Sequence, residues 1–290
     1  GSVTLTGAAG ADTLSSGSAS DSLSGGAGDD VLSSGAGADS LDGGDGTDQV
    51  IQSVNADQTL IDIQLTGEGS DVLVGIETAD LTGGAGDNTI DASQFSGSVT
   101  LSGGDGADTL TGGGGADTLV GGSGISTFAF SAASDGTAAS NGSSGLTTGD
   151  QISDFTSGTD HLAFVNSGFG FGSLGGVLPA ARFATVTGYN GTNSGISANT
   201  AHFVYDAGSR TLYHDTNSGA DGYTVVGTVQ SGASVARTDI RLNRADGSNA
   251  APVSSNASIS TNQGLGVSGS LSNWTTDSDG DGLAYSIVGS

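Results

Sequence analysis

The sequence predicts an all-β chain in which a repetitive solenoid leads into a smaller module of antiparallel strands, and three observations carry that prediction. A nine-residue period with one aliphatic residue in phase runs through the first 129 residues or so of the chain. Glycine, at 54 of 290 residues, and aspartate supply the turns. From Phe128 the period gives way to two-residue alternation of apolar and polar positions, as in HFVYD, TLYHD and YTVVGTV.

The period is unbroken from Gly7 to Ile51: GAAGADTLS, SGSASDSLS, GGAGDDVLS, SGAGADSLD, GGDGTDQVI. Every unit has Asp sixth (Asp12, Asp21, Asp30, Asp39, Asp48) and an aliphatic residue eighth (Leu14, Leu23, Leu32, Leu41, Val50). A second, more worn tract spans 83–129, with GGAGDNTID, GGDGADTLT, GGGGADTLV and GGSGISTFA. Its sixth positions are Asn88, Asp108, Asp117 and Ser126. Between the tracts, TGEGSDVLV keeps Asp71 sixth and Leu73 eighth, so residues 52–82 read as continued solenoid of irregular coils. GSVTLTG at the start recurs as GSVTLSG at Gly97, which suggests a duplicated block of roughly a hundred residues.

These aspartates pose a charge problem. Residues 1–181 hold 23 acidic side chains and no basic one, and the whole chain has a formal net charge of −26. Such a chain repels nucleic acid and anionic membranes and attracts small cations. Of the 31 acids only Glu68 and Glu77 are Glu, a bias toward the short carboxylate that sits close to its own backbone in turns. Without cysteine there are no disulfides, thiolate zinc sites or Cys nucleophiles. One buried aliphatic residue per nine is too little apolar area to offset the entropy of ordering a repeat, so another source of stability is required. Glycine lets backbone carbonyls converge while Asp adds charge, which approximates the six to eight oxygens that Ca²⁺ prefers.

At these residues the sequence resembles the RTX family, whose calcium-binding nonapeptide reads G-G-x-G-x-D-x-U-x. The resemblance implies a parallel β-roll in residues 1–129: six residues turn, three form a strand, and two units complete an 18-residue coil. It implies several Ca²⁺ ions between turns stacked on the same side, pairing Asp12 with Asp30, Asp30 with Asp48, and Asp21 with Asp39. The candidate metal ligands are Asp12, Asp21, Asp30, Asp39, Asp48, Asp71, Asn88, Asp108 and Asp117, with backbone oxygens of Gly25, Gly28, Gly43, Gly46, Gly103 and Gly106. A metal-free chain is expected to be disordered and to fold on Ca²⁺.

Residues 130–246 hold all five Arg and four of the five Tyr, enough for a modest conventional core, with DAGSR as a hairpin turn. This stretch is similar to the module that follows RTX repeats in bacterial proteins exported by type I secretion. The likeness rests on Asp150, Ile152, Asp154, Phe155, Gly158 and Asp160, then on Phe203, Tyr205, Asp206, Leu212, Tyr213 and Asp215. It implies a cap on the roll.

Residues 247–256 read as a linker, and 257–290 resemble the first half of a bacterial cadherin-like or immunoglobulin-like sandwich. There Asp277, Asp279 and Asp281 have a spacing suited either to Ca²⁺ or to a solvated turn.

No enzyme constellation emerges. H-E-x-x-H and G-x-S-x-G are absent, and GFGSLG at Gly170 lacks the strand-to-helix context of a dinucleotide site. His161, His202 and His214 stand beside Asp160, Asp206 and Asp215, a set that offers a metal or acid/base pair, but they read rather as surface histidines of a hairpin. The chain shows no apolar run long enough to span a membrane.

The expected function is that of a calcium-dependent extracellular structural or adhesive segment of a large secreted bacterial protein: an adhesin, a surface-layer protein or a matrix filament. Beside calcium, the partner classes left open are further copies of the chain and a cell-surface or glycan target. The alternative is the export and folding module of a secreted hydrolase whose catalytic domain lies upstream.

Overall fold

Alternation within each nine-residue unit places its eighth residue inside a wall and the flanking hydroxyls outside. In the computed structural model, which describes residues 1–132, 137–139, 149–171, 176–191, 202–215, 223–243, 253–254 and 275–276, those walls are two twelve-stranded sheets. Successive units alternate between them. Thr4–Thr6, Ser22–Ala27 and Ser40–Asp45 lie side by side in one sheet, and Thr13–Ser15, Val31–Ser33 and Gln49–Ser53 in the other. All pair in parallel, as in Thr4↔Ser22 and Thr13↔Val31. A register of one coil per two units therefore brings like positions together: Leu5, Leu23, Leu41 and Leu73 form one inward column, and Leu14, Leu32, Val50, Ala79 and Val99 the facing one. From Leu23 and Leu32 onward both columns are buried in a single core.

Neither sheet breaks at residue 129. The column Ile90, Leu110 and Phe128 continues in register to Leu162 and Ile240, and Leu119 continues to Ile152 and Val229. The post-repeat module thus carries the parallel array on with two strands, Asp150–Ile152 and His161–Val165, beside antiparallel ones that include Thr137–Ala139 against Tyr223–Val229. The antiparallel hairpin is His202–Asp206 with Thr211–Asp215, joined through the expected DAGSR turn and followed by Tyr223–Val229. Phe130, Phe164, Phe169, Phe171 and Phe203 make this end aromatic, with Phe164 and Phe203 centroids 4.3 Å apart. The only helices among the described residues are the single turn Asn166–Phe169 and two 3-10 turns, and none is long and apolar enough to cross a membrane.

Residues 52–82 stay in the sheets, but one strand among them, Gln64–Thr66, runs in reverse. Gln58–Ile61, Gln64–Thr66 and Ser70–Val74 form an antiparallel meander inserted between parallel neighbours, in place of the irregular coils the sequence suggests. Behind it Gln52 Nε2 donates to Gln58 Oε1 at 2.9 Å and Thr66 O at 3.1 Å, while Gln58 Nε2 donates to Thr82 O at 2.9 Å. These buried amides satisfy one another where the repeat's turn is missing.

Candidate calcium-binding turns

The sixth residues form two columns along the turns of the first tract. Each carboxylate accepts the backbone amide of the equivalent residue one coil away. In one column Val3 N donates to Asp21 Oδ1 at 2.7 Å, Asp21 N to Asp39 Oδ1 at 2.7 Å, and Asp39 N to Asp71 Oδ1 at 3.0 Å. In the other, Asp12 N donates to Asp30 Oδ1 at 2.8 Å and Asp30 N to Asp48 Oδ1 at 2.7 Å. All three stacked pairs expected from the repeat are therefore neighbours. The second column ends on Glu77, whose Oε2 accepts Asp48 N at 2.9 Å, a role that nothing in the period signals.

The second tract repeats the arrangement. Asn88 N donates to Asp108 Oδ1 at 2.8 Å, Val99 N to Asp117 Oδ1 at 2.9 Å, and Asp117 N to Asp150 Oδ1 at 3.2 Å. Asn88 fills the carboxylate's place toward its own turn as well, accepting Gly84 N at 2.9 Å.

The second oxygen of each column carboxylate points into the turn. Asp30, Asp39, Asp48 and Asp108 each have a buried Oδ2 without a hydrogen-bond partner among the described residues. A buried carboxylate oxygen with no donor is costly unless a cation meets it. The glycines shape the space around it. A Cβ on Gly25 would lie 2.1 Å from Asp30 Oδ2 and 2.6 Å from Gly43 O, and on Gly103 2.4 Å from Asp108 Oδ2 and 2.6 Å from Gly121 O. On Gly43 it would meet Gly75 O and Asp48 Oδ2 in the same way. Carbonyl and carboxylate oxygens thus converge where only a hydrogen fits. The fourth-position glycines, Gly28, Gly46 and Gly106, have φ of +122°, +149° and +119° and stack on the backbone of the coil beside them. Among the described residues no three His, Asp or Glu side chains group into a metal site, so a cation here would take most of its shell from backbone oxygens. The donor set of hard oxygens fits Ca²⁺. Asp277, Asp279 and Asp281 lie outside the described residues.

Burial sets the electrostatics. It pushes the Asp71 carboxyl up to about 6 and raises Asp48 and Asp108, with neighbouring acids adding to the effect. Asp21 goes the other way, held below the ordinary value chiefly by the Val3 amide.

Two features escaped the sequence. First, Phe155–Ala163, FTSGTDHLA, is a further unit of the array. Asp160 accepts Ser126 N at 3.0 Å through Oδ1 and Thr156 N at 2.7 Å through Oδ2. Asp117 bonds in the same way to Val99 N and Gly113 N, the latter at 2.7 Å. Gly fourth, Asp sixth and Leu eighth were the available signal. Second, His202 and His214 are buried, which corrects the surface reading. His214 Nε2 meets Phe169 O at 2.9 Å, and burial lowers its basicity to about 4. His202 lies 3.7 Å from Asp215, which also accepts a hydrogen bond from Tyr189. Tyr189, Tyr213 and Tyr223 pack together on that side of the sheet, so the hairpin has no solvent face there.

Comparison with a family model agrees with this geometry. A family model for the RTX calcium-binding nonapeptide repeat matches four stretches, residues 1–23, 15–50, 80–99 and 100–128. No curated protein sequence matches. Among solved structures, the extracellular lipase LipA from Serratia marcescens aligns with 18% identity and a TM-score of 0.23, over 83% of this chain and 40% of the lipase chain. The chain thus spans less than half of that lipase. The matched stretches within residues 1–128 are RTX calcium-binding nonapeptide repeats, wound as a parallel β-roll.

Proposed function

We propose that this chain is a calcium-dependent structural and adhesive segment of a large bacterial protein exported by type I secretion, extended inside the cell and folded outside it. The observation that carries the reading is the row of buried, partnerless Oδ2 atoms on Asp30, Asp39, Asp48 and Asp108, in a half of the chain without one basic side chain. Where Ca²⁺ is scarce those oxygens repel one another and the coils stay open. Where it is abundant, binding free energy becomes folding free energy. Coils added at about 4.8 Å each then make a stiff spacer, which suits holding surfaces apart or together. The same side chains argue against chemistry in the segment itself, since the column carboxylates are committed to backbone amides.

Circular dichroism of the full chain, titrated from excess chelator into millimolar Ca²⁺, tests the folding half of the reading. Strand signal should rise cooperatively with Ca²⁺; equal strand content in chelator refutes it. Adhesion is tested by light scattering and by binding to bacterial cells or immobilised glycans with and without Ca²⁺. Calcium-dependent capture or assembly is expected. A monomer that binds neither, together with a catalytic domain encoded upstream, would turn the reading to a hydrolase's export module.

A further inference from the structure

In three units the sixth carboxylate accepts the amide of its own turn's second residue. Ala8 N donates to Asp12 Oδ2 at 2.9 Å, Gly113 N to Asp117 Oδ2 at 2.7 Å, and Thr156 N to Asp160 Oδ2 at 2.7 Å. The unit from Gly121 to Ala129 has no such group, because its sixth residue is Ser126. The Ser126 hydroxyl is buried and without a hydrogen-bond partner among the described residues. Yet the second amide of this turn does meet a carboxylate: Gly122 N donates to Asp154 Oδ2 at 2.6 Å, and Gly121 N to Asp154 Oδ1 at 2.8 Å.

We propose that Asp154 serves as the missing sixth carboxylate of the Gly121–Ala129 unit, so that this last matched turn is closed by protein groups and needs no cation. The contrast with the repeats is chemical. Asp30, Asp39, Asp48 and Asp108 each leave one buried oxygen without a donor, whereas both oxygens of Asp154 receive a backbone N–H. Two amides on one carboxylate supply the compensation that a cation supplies elsewhere.

The turn that follows is completed in the same manner. Phe155 and Thr156 stand where the repeats have two glycines, and the Phe155 ring is buried 6.3 Å from that of Phe128. Gln230 Nε2 donates to Phe155 O at 2.9 Å. Asp239 accepts Gly158 N at 3.0 Å and Ser157 Oγ at 2.7 Å. Side chains thus take over the oxygen and nitrogen partners that the next coil provides within the array.

Amide hydrogen exchange on the full chain in saturating Ca²⁺, where the roll is folded, together with a count of bound Ca²⁺, tests the proposal. In the unaltered chain Gly121 and Gly122 should be protected. Asp154→Ala should lower their protection about tenfold or more, with Ca²⁺ stoichiometry unchanged. Adding Ser126→Asp to that variant should restore Gly122, because the carboxylate returns to its place in the repeat. Should Asp154→Ala fail to fold, Asp154→Asn is read instead: one acceptor oxygen remains, and one of the two amides should lose protection. The proposal is overturned if both glycines exchange at the unfolded rate in saturating Ca²⁺, if Asp154→Ala leaves their protection unchanged, or if it removes one bound Ca²⁺. The last result would make Asp154 a metal ligand.

Discussion

Gly104 and Gly10 have nearly the same backbone conformation, φ +105° and +110°, yet they sit in different surroundings. A Cβ on Gly104 would lie 2.1 Å from Gly84 O in the neighbouring rung, while one on Gly10 would meet nothing within 4 Å. Gly10→Ala therefore carries only conformational strain, about 1 kcal/mol, and Gly104→Ala must also push neighbouring rungs apart, for a total of about 3 kcal/mol or more. Denaturant unfolding in saturating Ca²⁺ measures both; equal losses would show that only φ matters. A second residue-scale prediction concerns Asp71, whose carboxyl burial pushes up to about 6 from 3.8. Because the folded value is the higher one, the proton stabilises the folded carboxyl fully below about pH 3.8, and this contribution is lost as pH rises through 6. Ca²⁺ needs the ionised oxygen, so the proton and the metal compete. As a calcium ligand, Asp71 predicts that the affinity of its site falls about tenfold between pH 7 and pH 5. Calorimetric titration at the two pH values measures this, and Asp71→Asn should weaken the site and flatten the same stretch of the pH dependence.

The meander of Gln58–Ile61, Gln64–Thr66 and Ser70–Val74 interrupts the turns between the two tracts, and Gln52 and Gln58 hold its inner side. Gln58→Ala removes two buried hydrogen bonds, one from Gln52 Nε2, which keeps Thr66 O, and one to Thr82 O, which keeps Val54 N. About 2 kcal/mol of stability should be lost with no change in Ca²⁺ stoichiometry. A fall in stoichiometry would mean that the joint itself binds metal. This element also marks how far the sequence can be read. The period fixes the phase of the sixth and eighth residues, and the likeness to the RTX nonapeptide implies the roll, its two-unit register and the sixth-residue columns. Neither announces the meander. QTLI, QLT and SDVLV alternate equally well in either direction, and the reversal occurs at Asp62 and Ile63, which lack the Asn-Gly or Asp-Gly signature of a tight hairpin. The unit Phe155–Ala163 is obscured for a related reason: Phe155 and Thr156 replace its first two glycines, and its Asp160 stands 34 residues from Ser126, where a regular coil spans 18. His202 and His214 mislead because HFVYD and TLYHD alternate, yet all ten of these residues are buried, with an aromatic core on one side and the tyrosine cluster on the other.

Across the whole molecule two separate effects oppose the metal-free roll, and they can be told apart. One is long-range repulsion within a chain of net charge −26, which dissolved salt screens over about 10 Å at 0.1 M and less at higher ionic strength. The other is local: the partnerless oxygens of Asp30, Asp39, Asp48 and Asp108 lie buried against glycine backbone, where a diffuse ion atmosphere does not reach. If repulsion dominates, half-molar NaCl in chelator should raise the strand signal to its calcium-bound level. If the buried oxygens dominate, NaCl should recover little of it. Mg²⁺ should recover little as well, because it holds its water and prefers a tight octahedron over a wide shell of carbonyls. The geometry favours the second outcome, since each of these four carboxylates already has one oxygen satisfied by an amide and the cost is concentrated on the other. We therefore expect circular dichroism in chelator with 0.5 M NaCl to stay near the salt-free spectrum, and millimolar Ca²⁺ at either ionic strength to give the same full signal. Folding by NaCl alone would reduce calcium to a counterion and would remove the reason for placing one carboxylate at the sixth residue of all but two repeat units.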